Sequence, residues 1–167
     1  MTRLLGIDLG ERRIGLAIAE GDGASPRPHS TLKRASSLER DAVALAEIIA
    51  ASRIDELVLG LPLDMSGAEG SQATTTRAWG EAIAARLEIP VVFRDERLTS
   101  HVAEARLGPM KRGRSGGPPS RVQRDAYRAR VDREAAAVIL QDELDARAAG
   151  RAPGPVAPLP LAAADRG

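Results

Sequence analysis

Leu4-Leu5-Gly6-Ile7-Asp8-Leu9-Gly10 is an apolar run interrupted by a single acid. A run of this kind near the start of a chain reads as a strand of an α/β protein, covered on both faces. A carboxylate inside such a strand loses its hydration, and a buried charge without compensation shifts its pKa or acquires a cation. Asp8 therefore has two readings. It either starts the turn that Gly10 continues, or it is a metal ligand or catalytic acid. Other acids that converge on it decide between the two.

Outward from this run, Gly10-Glu11-Arg12-Arg13 makes a turn, and Ile14 to Ala19 reads as a second strand in a hairpin with the first. Gly21 to Pro28 is a loop, with a third strand around Ser30 to Arg34. Leu38, Val43, Leu45, Ile48 and Ile49 fall at helical spacing within Ser37 to Ala51, with Ser36 or Ser37 as N-cap. Glu56 to Leu61 is a buried strand stopped by Pro62, and a helix follows from about Ser71 to Leu87. Val91 to Arg94 is the next strand, and Thr99 or Ser100 caps a helix through Leu107. A last helix is expected from about Arg133 to Ala148. The sum is one α/β domain over 1–149, a single mixed five-stranded sheet with helices on both faces. From residue 150 onward, Ala-Pro-Gly-Pro-Val-Ala-Pro-Leu-Pro suits neither helix nor central strand and reads as a disordered Pro/Ala-rich tail.

The 167 residues are 43% hydrophobic and 28% charged, the balance of an ordinary globular domain, without a cysteine for disulfides or thiolate metal sites. One Trp, one Tyr and one Phe leave no row of aromatics on which single-stranded bases could stack. No stretch resembles a signal segment or reaches transmembrane length, so a cytoplasmic location without membrane attachment is expected. The net charge of +1 conceals a segregation. Residues 106–133 hold nine basic side chains (Arg106, Lys111, Arg112, Arg114, Arg121, Arg124, Arg128, Arg130 and Arg133) against Asp125 and Asp132. Such a stripe is either a solvated linker or a phosphate-binding surface, for which the forked guanidinium is suited. Its Gly- and Pro-rich part, within about 108–130, reads as a mobile basic loop.

Two further acids stand where they could join Asp8. Glu96 follows the strand ending at Arg94, and ligands of open α/β sheets gather at the carboxyl ends of strands. Asp132 shares one helical face with Ala136, Ile139 and residue 143, at the start of the last helix, where it is either an N-cap or an acid facing the sheet. Carboxylates without His or Cys partners select hard cations, Mg²⁺ or Mn²⁺, over zinc. His29 and His101 lack the spacing of a zinc motif. Two such ions roughly 3.5–4 Å apart would suit phosphodiester cleavage, with the basic stripe receiving a polyanion.

Taken together, Gly6-Ile7-Asp8-Leu9-Gly10 with Arg13-Ile14-Gly15-Leu16-Ala17, Gly60-Leu61-Pro62-Leu63, Asp95-Glu96-Arg97-Leu98-Thr99-Ser100, and Val131-Asp132 with Ala135-Ala136 and Ile139-Leu140-Gln141 resemble the YqgF-type (RuvX-like) family. That family belongs to the ribonuclease H-like superfamily and is associated with pre-16S ribosomal RNA cleavage and Holliday junction resolution. The resemblance spans residues 6–141. It implies a ribonuclease H-like fold and puts catalytic, metal-binding carboxylates at Asp8, Glu96 and Asp132. The connection before Asp132 is longer than is common in the family, which makes Asp125 a competing third acid. Asp64 stands where Asn is common, and Glu11 adds a negative charge near Asp8.

The implied function is a Mg²⁺- or Mn²⁺-dependent nuclease of ribosome biogenesis acting on structured RNA, the precursor of 16S rRNA. It would work as a monomer or homodimer. Arg13, Arg97, Lys111, Arg112, Arg114, Arg121 and Arg124 are the expected nucleic-acid contacts. Cleavage of branched DNA, as a Holliday junction resolvase, is the same chemistry. A non-catalytic RNA-binding or transcription-associated module gains nothing from three desolvated acids facing an anion. An ATPase of the actin and sugar-kinase type also begins with Ile-Asp-Leu-Gly, but needs a duplicated domain for which 167 residues without a repeat are too few.

Overall fold

The computed structural model describes residues 2–21, 24–96, 99–113 and 115–150. Strands β1 (Arg3–Leu9), β2 (Arg13–Glu20) and β3 (Arg27–Lys33) form an antiparallel meander, closed at the first turn by Gly10 N donating to Arg13 O at 2.9 Å. Helix α1 (Leu38–Ser52) leads to β4 (Glu56–Leu61), parallel to β1, and α2 (Ser71–Leu87) leads to β5 (Val91–Asp95), parallel to β4. The order across the sheet is β3-β2-β1-β4-β5. Helices α3 (Thr99–Leu107) and α4 (Arg121–Ala148) complete the chain.

Alternation along β1 divides the core in two. Leu5, Ile7 and Leu9 pack with Leu45, Leu57, Leu59, Trp79 and Ile83 under α1 and α2. Leu4 belongs to the opposite face, with Ala17, Val58, Val92, Ala136, Ile139 and Leu140 under α4. Helices thus cover both faces, as expected. Helix α3 packs on α4 through Ala103, Val131 and Ala135. Ser37 caps α1 by accepting from Arg40 N. Buried Asp41 accepts from Ala35 N at 2.8 Å and from the Trp79 indole at 3.4 Å, so it is satisfied structurally.

Two boundaries differ from expectation. Strand β3 begins at Arg27 and contains Pro28. An edge strand tolerates a proline, because one side of it needs no ladder donor. Helix α4 starts at Arg121 rather than near Arg133, so residues 121–130 of the expected loop are helical. Its true cap is Ser120, in a reciprocal box with Gln123, and Asp132 lies deep inside the helix rather than at its N-cap. The first turns of α4 are polar on most sides because they meet only α3 and the sheet edge. There Thr31 Oγ1 donates to Ala129 O at 2.8 Å. No apolar stripe marked these turns as helix. The expected tail falls outside the described residues beyond Gly150.

Helix α4 rests directly on the sheet backbone. A Cβ on Gly6 would lie 2.5 Å from Leu140 Cγ and 2.6 Å from Ala136 O, and one on Gly15 would overlap the Asp132 carbonyl. Gly15→Ala should therefore push α4 away at the level of Asp132. The expected loss is about 1–3 kcal/mol, or several degrees in Tm. Gly117→Ala, with only an ordinary 3.7 Å contact, should leave the melting curve unchanged.

Candidate active site

Asp8 is the penultimate residue of β1 and lies opposite Gly15 of β2. Continuing the pairing of Gly6 with Val58 and Ile7 with Leu59 by one step puts Gly60 of β4 at its other side. Side chains two apart share a face, so Asp8 points, like Leu4, toward α4. Neither flanking position carries a side chain, which leaves room above the strand ends. Glu96 uses that room. Its backbone N donates to Leu61 O at 3.0 Å, and a Cβ on Gly60 would come within 2.5 Å of Glu96 Oε2. The Glu96 side chain therefore lies over β4, and its carboxyl is hydrogen-bonded to that of Asp8.

Both residues are half-buried, but their carboxyls are crowded out of water. Desolvation, followed by repulsion from Asp8 and Asp95, pushes Glu96 up to about 9. Desolvation also lifts Asp8, to about 6, against the lowering effect of its bond to Glu96 and with a further push from Asp132. The pair thus retains one proton across the neutral range.

Asp132 is the third acid near this point. Its carboxylate Oδ2 accepts from Arg13 Nε at 2.8 Å, across the chain from β2 to α4. Among the described residues, no three acids stand close enough together to enclose one ion. Asp8 and Glu96 are joined, and Asp132 flanks them, neutralised by Arg13. Two oxygen ligands forced together with a proton between them are a donor set that a hard divalent cation fits, since it would replace that proton.

The remaining expected contacts divide as follows. Arg13 is turned to Asp132. Lys111, Arg112, Arg121 and Arg124 are exposed, with Arg112 donating to Gly116 O and Arg124 to Pro119 O. Arg97 and Arg114 lie outside the described residues. Asp125 is exposed, nearly two turns of α4 before Asp132.

Sequence reading missed the supports of the pair. Gly60 supplies space for Glu96. Arg94, two residues before Glu96, ion-pairs with fully buried Glu143 of α4. Glu143 also binds Arg147 at 2.8 Å, and Arg147 reaches Glu56 at 2.7 Å. The visible signal was an acid at position 143 on the otherwise apolar face that starts at Asp132.

A mixed sheet in this strand order, with Asp8 near the end of central β1 and Glu96 just past edge strand β5, under a crossing helix, has the ribonuclease H-like fold. The chain covers 93% of its length and 100% of the other in alignment with Thermus thermophilus RuvC in complex with a Holliday junction substrate, at TM-score 0.54 and 15% identity. Residues 2–146 match the RuvX family, described as Holliday junction resolvase, and the chain belongs to that family. A relative from Anaeromyxobacter dehalogenans (strain 2CP-1), named "Putative pre-16S rRNA nuclease", is 43% identical over 146 residues, 87% of this chain and 98% of the relative. One of the same name from Chloroflexus aggregans is 39% identical over 144 residues, 86% and 94% of the two chains.

The raised carboxyls fix the sign of a pH effect. The unfolded chain loses the Glu96 proton near the ordinary value of 4.5, whereas the folded chain holds it to about 9. Between these limits the folded state binds more protons, so stability falls as pH rises, by at most about 1.4 kcal/mol per pH unit for one proton. Thermal unfolding without divalent metal should show this decline from pH 5 to 9, and Glu96→Gln should flatten it. A wild-type profile as flat as the variant's would contradict the enclosed pair.

Proposed function

We propose that this protein is a Mg²⁺- or Mn²⁺-dependent endonuclease that cleaves structured RNA, with the precursor of 16S rRNA as its substrate. The observation that carries this reading is the hydrogen-bonded, desolvated pair of Asp8 and Glu96, held beside Asp132 at the strand ends. Such a pair costs folding free energy, and binding of a polyanion alone would not require it. The names borne by its relatives support RNA as the substrate. The description of the family and the likeness to RuvC support a second reading, cleavage of a Holliday junction by the same residues.

Asp8 and Glu96 would hold the ion, and Asp132, which flanks them without closing round one ion in this structure, would be the third acid of the site in preference to exposed Asp125. When bound, the ion supplies Lewis acidity and charge compensation at a phosphodiester. Holding an ion would require Glu96 to lose its proton, which would tie occupancy to pH. Arg13 stands where it can exchange the Asp132 carboxylate for a phosphate oxygen, keeping a cation at the site in both states. Lys111, Arg112, Arg121 and Arg124 track the backbone of the nucleic acid on the approach to Asp132, and Arg97 and Arg114, which lie outside the described residues, are expected contacts from the sequence. No helix among the described residues is long and apolar enough to cross a membrane, and we place this activity in the cytoplasm, in a monomer or homodimer.

Three outcomes test this. Asp8→Asn should keep the circular dichroism spectrum and lose more than about 100-fold in cleavage of precursor rRNA and of a four-way junction; the substrate cut by wild type with Mg²⁺ or Mn²⁺, but not with EDTA, separates the two readings. Millimolar Mg²⁺ or Mn²⁺ should raise Tm, more at pH 8.5 than at pH 6.5, and Glu96→Gln should abolish the rise. Alanine at Arg112, Arg114, Arg121 and Arg124 together should reduce the slope of log affinity against log salt by up to about 3, with a smaller effect on turnover at saturating substrate. An unchanged slope would put the nucleic acid on another face.

A further inference from the structure

A cleft of about 400 Å³ opens between α3 and α4 and ends at Asp132, with Ser100, Glu104, Met110, Tyr127, Arg128 and Val131 along it. This is within the size range of small-molecule sites. Arg13 and Asp132 also line it. We propose that this cleft is a nucleobase subsite, which takes the base of a nucleotide next to the cleaved phosphate and stacks it on Tyr127. The inference rests on the nuclease reading for the word "cleaved", but not for the subsite itself.

Three observations support it. First, the charges along the cleft cancel, Arg13 and Arg128 against Asp132 and Glu104, so the cleft favours a neutral group over a phosphate except beside exposed Arg128. A neutral ring with donors and acceptors on its edges fits better. Second, Tyr127 is the sole tyrosine, half-buried, while Trp79 is buried on the other side of the sheet and Phe93 is covered by Arg77 at 4.7 Å. Its ring is held by contact with Ala103 and Val131 and by its hydroxyl, which donates to Gly108 O at 2.9 Å. A ring fixed in this way is a stacking surface that loses little entropy on binding. Third, Tyr127 precedes Asp132 by five residues, about 7.5 Å along the helix, close to the step from one nucleotide to the next. Arg128 is exposed beside it, with no side-chain partner among the described residues. Its guanidinium is placed for that nucleotide's phosphate, and Ser100 and Glu104 offer a hydroxyl and an acceptor to the base edge.

The test uses mononucleotides, which are not cleaved, so it is independent of nuclease activity. The full-length protein with Mg²⁺ is titrated calorimetrically with AMP, CMP, ribose 5-phosphate and inorganic phosphate, and in wild type the single tyrosine ring is also followed by NMR. AMP and CMP should bind at least fivefold more tightly than ribose 5-phosphate and shift the ring resonances. Tyr127→Leu should remove that preference. Tyr127→Phe, which keeps the ring but not the bond to Gly108, should retain it. Arg128→Ala should weaken every phosphorylated probe by a similar factor. Equal affinity for AMP, CMP and ribose 5-phosphate, or a preference lost equally in the Phe and Leu variants, would overturn the subsite. Base preference in a protein that cleaves no substrate would uphold the subsite and overturn the nuclease reading, while cleavage without base preference would do the reverse.

Discussion

Helix α4 lies so close to the sheet that three backbone positions beneath it leave no room for a side chain. Gly6 faces Ala136 and Leu140, Gly15 faces the backbone of Asp132, and Gly60 faces Ile139 and Glu96. Everything at the site depends on this approach. It brings Asp132 down to the level of Asp8, and it leaves an opening over β4 into which the Glu96 side chain can lie. Ala136 and Ala137 contribute to the contact from the helix side, both of them buried. Leu140 and Ile139 of the helix seat over Gly6 and Gly60, so the helix has little freedom to settle at a different height.

Close approach alone does not fix the position of the helix along the sheet. That is done by charge. Glu143, with no exposed surface, binds Arg94 of β5 and Arg147 of its own helix, and Arg147 continues to Glu56 at the start of β4. A buried acid with two guanidinium partners is costly to separate from either, so the pairs act as a register lock between α4 and the two parallel strands. Arg94 is two residues from Glu96, and Glu143 lies on the same helical face as Asp132. The lock therefore sets the spacing of the strand-borne acids and the helix-borne one.

How much of this could be read from the chain follows from the range of each interaction. The β1–β2 hairpin, α1, α2 and the parallel strands carry their own periodicity and turns, and their limits agree with the structure to within a few residues. The start of α4 was hidden because its first three turns are polar and contact only α3 and the sheet edge, so the helix is held by a cap at Ser120 and by packing from elsewhere. Asp8, Glu96 and Asp132 could be chosen from placement and family resemblance. Their partners could not. That Arg13 holds Asp132, that Glu143 holds Arg94, and that Gly60 makes room for Glu96 are contacts between residues 36 or more positions apart. Such contacts leave no local pattern.

The charge balance at the strand ends bears on the proposed requirement for a cation when a polyanion binds. Asp8, Glu96 and Asp132 would carry three negative charges if fully ionised, with Arg13 as the side-chain cation seen bonded to one of them. The folded chain reduces this excess in two ways: it retains a proton between Asp8 and Glu96, and it pairs Asp132 with Arg13. On the proposed reading, a divalent ion would displace the first and a phosphate the second. The metal-free site is thus neutralised by groups that can leave, a proton in one case and a guanidinium side chain in the other. A site built for permanent neutrality would have used apolar side chains, which fill such space at less cost.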